Sequence, residues 1–162
     1  MITIVTGRIN DTKTTRLIEL HAKWGGDGIA AVKTMAADRV RGYDAVRLSS
    51  GERHRLALHN DNLPEDFKTA FAIGPYHFDE VGVAWVEKTF DSLLASAVSP
   101  LYFDEIGLLE VCGKGFSPLI ERLLRSGRDL VLVVRDTLID AFAGHYRVDA
   151  YVIHGRGGDG DG

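Results

Sequence analysis

The chain has 162 residues, 45% of them hydrophobic, which suits one globular domain with a substantial core. A net charge of −4 and a sequence pI of about 5.8 argue against broad, charge-driven binding to DNA or RNA. Cys112 is the sole cysteine, which excludes an intrachain disulfide, and no apolar run reaches the ~18 residues of a membrane span.

Ile2–Thr6 is β-branched and predicts a first strand. It is unlike a signal peptide, so a cytoplasmic protein is expected. Lys13–Trp24 predicts a helix whose apolar face carries Leu17, Ile18 and Leu20 and which ends at Gly25-Gly26. Residues 28–32 predict a second strand. Residues 43–48 and 54–59, around Ser49-Ser50-Gly51-Glu52, predict an antiparallel hairpin. The arginines of residues 38–55 alternate with acids and glycines, the composition of a solvated hairpin face. Residues 60–66 contain Pro64 and predict a loop, 71–73 a short strand, and Gly74-Pro75 a break.

From residue 80 to about 97, Val83, Val86, Phe90, Leu93 and Leu94 recur at helical spacing. Residues 101–103 predict a short buried strand and 116–126 a helix closed by Gly127. Leu130–Val134 is a continuous apolar run, the mark of a strand covered on both faces. Residues 137–143 predict a helix and 150–153 a last strand. This alternation predicts an α/β fold of three layers, a mostly parallel central sheet between helices with an inserted β-hairpin. Residues 1–154 read as one domain and 155–162 as a disordered glycine-rich tail.

Two motifs carry the chemistry. Strand, Gly7, five intervening residues and Lys13-Thr14 follow the pattern G-x-x-x-x-G-K-[ST], except that Thr12 replaces the second glycine. In such a loop, backbone N–H groups and a helix N-terminus surround phosphate oxygens, lysine reaches the β- and γ-phosphates, and the hydroxyl holds Mg²⁺. The second motif is an apolar strand running into Asp104-Glu105. Such a strand presents one carboxylate to the metal and a second to the attacking water. Taken by itself, Asp104 also suits a helix N-cap with Glu105 in the first turn. His54, His59 and His77 lack metal-ligand spacing, and no serine lies in a G-x-S-x-G context. Trp24 and Trp85 lie on helix-like segments and suit packing.

The run Asp104-Glu105-Ile106-Gly107-Leu108-Leu109-Glu110 resembles the Asp-Glu-Ile-Gly-x-Met-Glu signature of a P-loop nucleoside-triphosphatase family typified in thermophiles. Arg41-Gly42-Tyr43, Leu48-Ser49-Ser50-Gly51-Glu52-Arg53, Gly74-Pro75-Tyr76 and Phe116 are similar to further elements of that family, over roughly residues 2–145. The resemblance implies a RecA-like core and Mg²⁺-dependent hydrolysis of ATP or GTP to the diphosphate and phosphate. Lys13 would contact the β/γ-phosphates, Thr14 and Asp104 would hold the metal, and Glu105 would be the general base. The cradle would comprise Gly7, Arg8, Ile9, Asn10, Asp11, Thr12, Lys13, Thr14 and Thr15. Arg39 and Arg41 either reach the nucleotide from the hairpin side or serve the structure.

The chain departs from the family at Thr12. A left-handed backbone there would cost ~1–3 kcal/mol for a β-branched residue and weaken nucleotide binding. Asp11 adds a carboxylate near the phosphates, offset by Arg8, Lys13 and Arg16. Two other readings remain open at this point: a nucleotide or small-metabolite kinase, and a non-hydrolysing nucleotide-binding scaffold. No base-reading Asn-Lys-x-Asp motif is present, and neither a nucleic acid nor a membrane is an expected partner.

Overall fold

A computed structural model describes residues 1–7 and 12–155. Arg8, Ile9, Asn10 and Asp11 of the expected cradle, and residues 156–162 of the expected tail, lie outside them. The elements in order are β1 (Ile2–Thr6), α1 (Lys13–Trp24), β2 (Asp27–Ala36), β3 (Arg39–Arg47), β4 (Arg53–His59), β5 (Thr69–Ile73), β6 (Tyr76–Asp79) and α2 (Glu80–Ala95). There follow β7 (Leu101–Ile106), α3 (Leu108–Val111), α4 (Ser117–Arg125), β8 (Leu130–Val134), α5 (Ile139–Tyr146) and β9 (Val152–Gly155). Among the described residues no helix is long and apolar enough to cross a membrane.

All nine strands form one mixed sheet in the order β5-β6-β4-β3-β2-β7-β8-β1-β9. The pairings from β2 through β7, β8 and β1 to β9 are parallel, and the expected α/β core is there. The antiparallel part is larger than the single expected hairpin, because β6 and β5 add two further strands beyond β4. Tyr76–Asp79 is too short, between Gly74-Pro75 and the helix signal, to announce itself as a strand. It forms because Ala57, Leu58 and His59 of β4 offer it a ladder. At the other end, β9 pairs with β1 as far as Thr6↔Gly155, so the strand includes the first residue assigned to the tail.

Alternation along the central strands divides the core between two faces. Ile4, Leu101, Phe103, Leu130, Leu132 and Val134 point to one side, where α2, α4 and α5 supply Val86, Phe90, Leu123 and Phe142. Val5, Tyr102, Val131 and Val133 point to the other, against Leu17 and Leu20 of α1. The whole of β8 is buried, as its apolar run requires. Helix α2 rests directly on β4, where Gly82 leaves no room for a Cβ beside the Arg55 carbonyl. Its N-terminus is capped by Asp79, whose carboxylate accepts from the Val81 N–H at 3.0 Å and from Arg55 Nε at 2.8 Å. These contacts fix the antiparallel half against the parallel half, and the cleft lies where the two meet.

Candidate active site

Parallel strands present their carboxyl ends at one edge of a sheet, where α/β proteins bind ligands. Here β1 ends at the buried Gly7, β7 carries Asp104 and Glu105, and Arg135 follows β8. Helix α1 begins at Lys13, which is itself buried. Thr14 Oγ1 donates to Asp104 Oδ2 at 2.8 Å, and the Ala31 N–H of β2 donates to the same oxygen at 2.9 Å. The opening helix and the end of β7 are therefore side by side, joined by a direct hydrogen bond.

Asp104 is 5% exposed, and among the described residues its second carboxylate oxygen, Oδ1, is buried without a hydrogen-bond partner. Burial and the neighbouring Glu105 push its carboxyl up to about 7, against the hydrogen bonds from Ala31 and Thr14. A buried oxygen with nothing to bind is costly unless a proton or cation completes it. The donor set fits a hard cation: a carboxylate oxygen and a hydroxyl whose proton is already directed at Asp104, leaving its lone pairs available.

Strand alternation would send Asp104 and Glu105 to opposite faces. The structure escapes this through an irregularity in β7, where pairing with β8 jumps from Phe103 to Ile106 and Glu105 takes φ +66. That left-handed turn is costly for a glutamate, and it aims both carboxylates into one cleft. Glu105 is exposed and lines both the cleft and the cavity beside it. Desolvation raises its pKa, while Lys13, Arg135 and Lys33 pull it back down.

The cleft encloses about 400 Å³ between Thr12, Lys13, Thr14 and Thr15 on one side and Lys33, Tyr43, Glu105 and Arg135 on the other. Thr12 has φ −84 and ψ 37, so the left-handed strain anticipated at this position is not present. What remains of the substitution is an added side chain at an exposed site. Arg16 donates from Nη1 to the Thr6 carbonyl at 2.9 Å, tying the first turn of α1 to β1. Arg39 and Arg41 are exposed on β3 and line neither this cleft nor the cavity beside it.

The sequence profile of the NTPase family matches residues 2–155, nearly the whole chain. The chain belongs to the NTPase family. Two solved structures share its fold. A human cancer-related nucleoside triphosphatase in solution matches with a TM-score of 0.62 and 20% identity, over 94% of this chain and 87% of that one. Crystalline THEP1 from the hyperthermophile Aquifex aeolicus matches with a TM-score of 0.65 and 16% identity, over 94% and 88%. At such identities these neighbours establish the fold alone. None of the curated protein sequences matches the chain.

Within this NTPase fold, the last acid of the Asp104–Glu110 run is structural. Glu110 is buried and accepts from the Gly107 N–H at 2.9 Å and the Phe116 N–H at 3.0 Å, folding the segment after β7 back onto itself. Burial raises its pKa, and those two N–H groups oppose the rise. Sequence reasoning did not single out Arg135, Lys33 or Tyr43 as cleft residues. Arg135 carried a signal all the same: it is the first polar residue after a strand buried on both faces. Tyr43 was visible only within the Arg41-Gly42-Tyr43 element, and Lys33 carried no signal, because its place follows from the pairing of β2 with β3.

Proposed function

We propose that this NTPase-family protein hydrolyses ATP- or GTP-type nucleoside triphosphates to the diphosphate and phosphate with the help of Mg²⁺. The observation that carries the reading is the Thr14–Asp104 hydrogen bond beside Lys13, with Asp104 Oδ1 buried and given no hydrogen bond by the described residues. In this reading Thr14 and Asp104 hold the metal, and Mg²⁺ neutralises charge developing on the β- and γ-phosphate oxygens. Lys13 binds those phosphates from the first turn of α1, where the helix dipole also favours an anion. Gly7, Thr12, Thr15 and the intervening residues Arg8, Ile9, Asn10 and Asp11 complete the cradle. Glu105 takes the proton of the attacking water, a role worth ~10²–10⁴-fold in rate. Arg135 offers a fixed positive charge across the cleft, suited to the charge that spreads over the γ-phosphoryl oxygens. Residues 1–154 act as one domain, and the lone, exposed Cys112 suits a reducing cytoplasm.

The test is phosphate release from ATP and GTP in the presence of Mg²⁺. Lys13→Ala and Glu105→Gln are each expected to reduce kcat/KM by at least ~10²-fold. Release that survives both substitutions overturns the assignment.

A further inference from the structure

Past Asp104 and Glu105 the cleft opens into a second cavity of about 360 Å³. Its walls include Leu56, Phe78, Val86, Phe103 and Phe116, and Tyr43 stands between it and the phosphate side. An attacking water takes up about 30 Å³ and wants two to four polar partners. A cavity more than ten times larger with predominantly apolar walls is poorly shaped for that purpose. Its size falls at the lower end of small-molecule sites, about 300–1,000 Å³.

The position of the cavity distinguishes its occupant, granted the nucleotide reading above. In-line displacement brings the nucleophile to the side of the γ-phosphorus opposite the leaving β-phosphate. The nucleoside lies beyond the β-phosphate, away from that side. The cavity shares Tyr43, Glu105 and Arg135 with the phosphate-side cleft, and beyond them it is walled by β4, β6 and α2, with no lining residue from α1. A molecule held there faces the γ-phosphate and not the base. Five aromatic rings line it, Tyr43, Tyr76, Phe78, Phe103 and Phe116, and aromatic pairs gain beyond their area burial, so an aromatic ligand suits it. The charged groups that reach it are three carboxyls, Asp104, Glu105 and Glu110, against the guanidinium of Arg135, which disfavours an anionic ligand.

We propose that this cavity is an acceptor site, holding a small neutral aromatic alcohol that takes the γ-phosphoryl group in place of water. The alcohol oxygen bonds to the γ-phosphorus as the bond to the β,γ-bridging oxygen breaks. The nucleoside diphosphate leaves with that electron pair, and the hydroxyl proton passes to the Glu105 carboxylate. Burial, followed by the Glu105 charge, pushes the Tyr43 phenol up to about 12, so at neutral pH it remains a donor able to orient the ligand.

The intact protein is incubated with Mg²⁺, ATP labelled at the γ-phosphorus, and benzyl alcohol, 2-phenylethanol or 4-hydroxybenzyl alcohol. Label is expected in an organic phosphate as well as in inorganic phosphate. Saturation-transfer NMR is expected to show the alcohol bound, without displacement by adenosine. Ile73→Trp and Leu109→Trp each place an indole in the cavity from a partly exposed wall position. Each should weaken alcohol binding by about tenfold or more while leaving alcohol-free phosphate release near the wild-type rate. Two fillers are used so that a folding defect in one leaves the other to decide. Failure of all three alcohols to bind, binding without an organic phosphate, or displacement by adenosine overturns the proposal. Absence of alcohol-free phosphate release by the wild type counts against the hydrolase reading alone, and the proposal then stands or falls on whether the bound alcohol yields an organic phosphate.

Discussion

Asp104 concentrates the conflict between folding and chemistry in one side chain. Its carboxyl is pushed from an ordinary 3.8 to about 7, first by burial and then by Glu105. The folded chain therefore holds a proton that the unfolded chain has released between about pH 4 and pH 7. Where the folded state binds more protons, stability falls as pH rises, here by at most about 1.4 kcal/mol per pH unit. Without metal, the contribution of Asp104 to stability is thus lowest above about pH 7, where its buried carboxyl has lost its proton. Asp104→Asn keeps an oxygen for the Thr14 and Ala31 donors and removes the charge. The expected outcome is a higher Tm in EDTA at pH 8, with a shallower slope between pH 4 and 7 and phosphate release abolished. Thermal melts of both proteins across that range check it, and an unchanged slope in Asp104→Asn would show that the proton is held elsewhere.

At the level of elements, what could be read in advance was whatever announced itself by period. The apolar runs of β1 and β8 and the helical spacing in α1 and α2 mark elements whose burial is set by their own residues. Strand β6 was not legible, because four residues form a strand only when β4 offers them a ladder. The irregularity in β7 was not legible either: Asp104-Glu105 shows two carboxylates but not that one must leave the alternation to join the other. The segment after β7 shows how such a departure is held in place. Glu110 accepts two backbone N–H groups across it, and Gly115, at φ +59, leaves no room for a Cβ beside Glu110 Oε2. Gly115→Ala combines a left-handed strain of about 1–3 kcal/mol with displacement of that carboxylate, and a loss of about 2–4 kcal/mol is expected. Urea unfolding measures it directly. A loss below ~0.5 kcal/mol, the range of neutral surface changes, would mean the segment rearranges freely and does not brace β7.

Across the whole molecule, the cleft depends on two halves of one sheet keeping their relation. The parallel half supplies Lys13, Thr14, Asp104, Glu105 and Arg135, while the antiparallel half supplies Tyr43 and much of the apolar cavity. Lys13, Thr14, Asp104 and Glu105 were legible from their motifs; the antiparallel half was visible as a hairpin and a short strand over 71–73, without the β6 pairing that brings Tyr76 and Phe78 to the cavity. One buried carboxylate pins the junction. Asp27, at the start of β2, accepts from Arg47 Nε at 2.8 Å, Ser49 Oγ at 2.7 Å, the Ser49 N–H at 3.0 Å and the Gly28 N–H at 2.8 Å. Burial alone would raise its pKa, but the hydrogen bonds from Ser49, Arg47 and Gly28 outweigh it and hold the carboxyl below its ordinary value. A depressed carboxyl contributes stability above its unfolded pKa of about 3.9 and loses it as pH falls through the folded value. Asp27→Asn removes the charge that Arg47 pairs with and turns one acceptor into a donor facing donors. It is expected to cost about 2–3 kcal/mol at pH 7 and less at pH 3, where protonation of the unfolded chain's carboxyl has removed part of the wild type's advantage. Because the damage lies at the end of the cleft-forming strands distant from Asp104, amide exchange in β2 and β3 should accelerate while Lys13 and Glu105 remain in place. Denaturant melts at pH 7 and pH 3, read beside hydrogen exchange, check both parts. An equal cost at the two pH values would show that the hydrogen-bond geometry, and not the charge, holds the halves together.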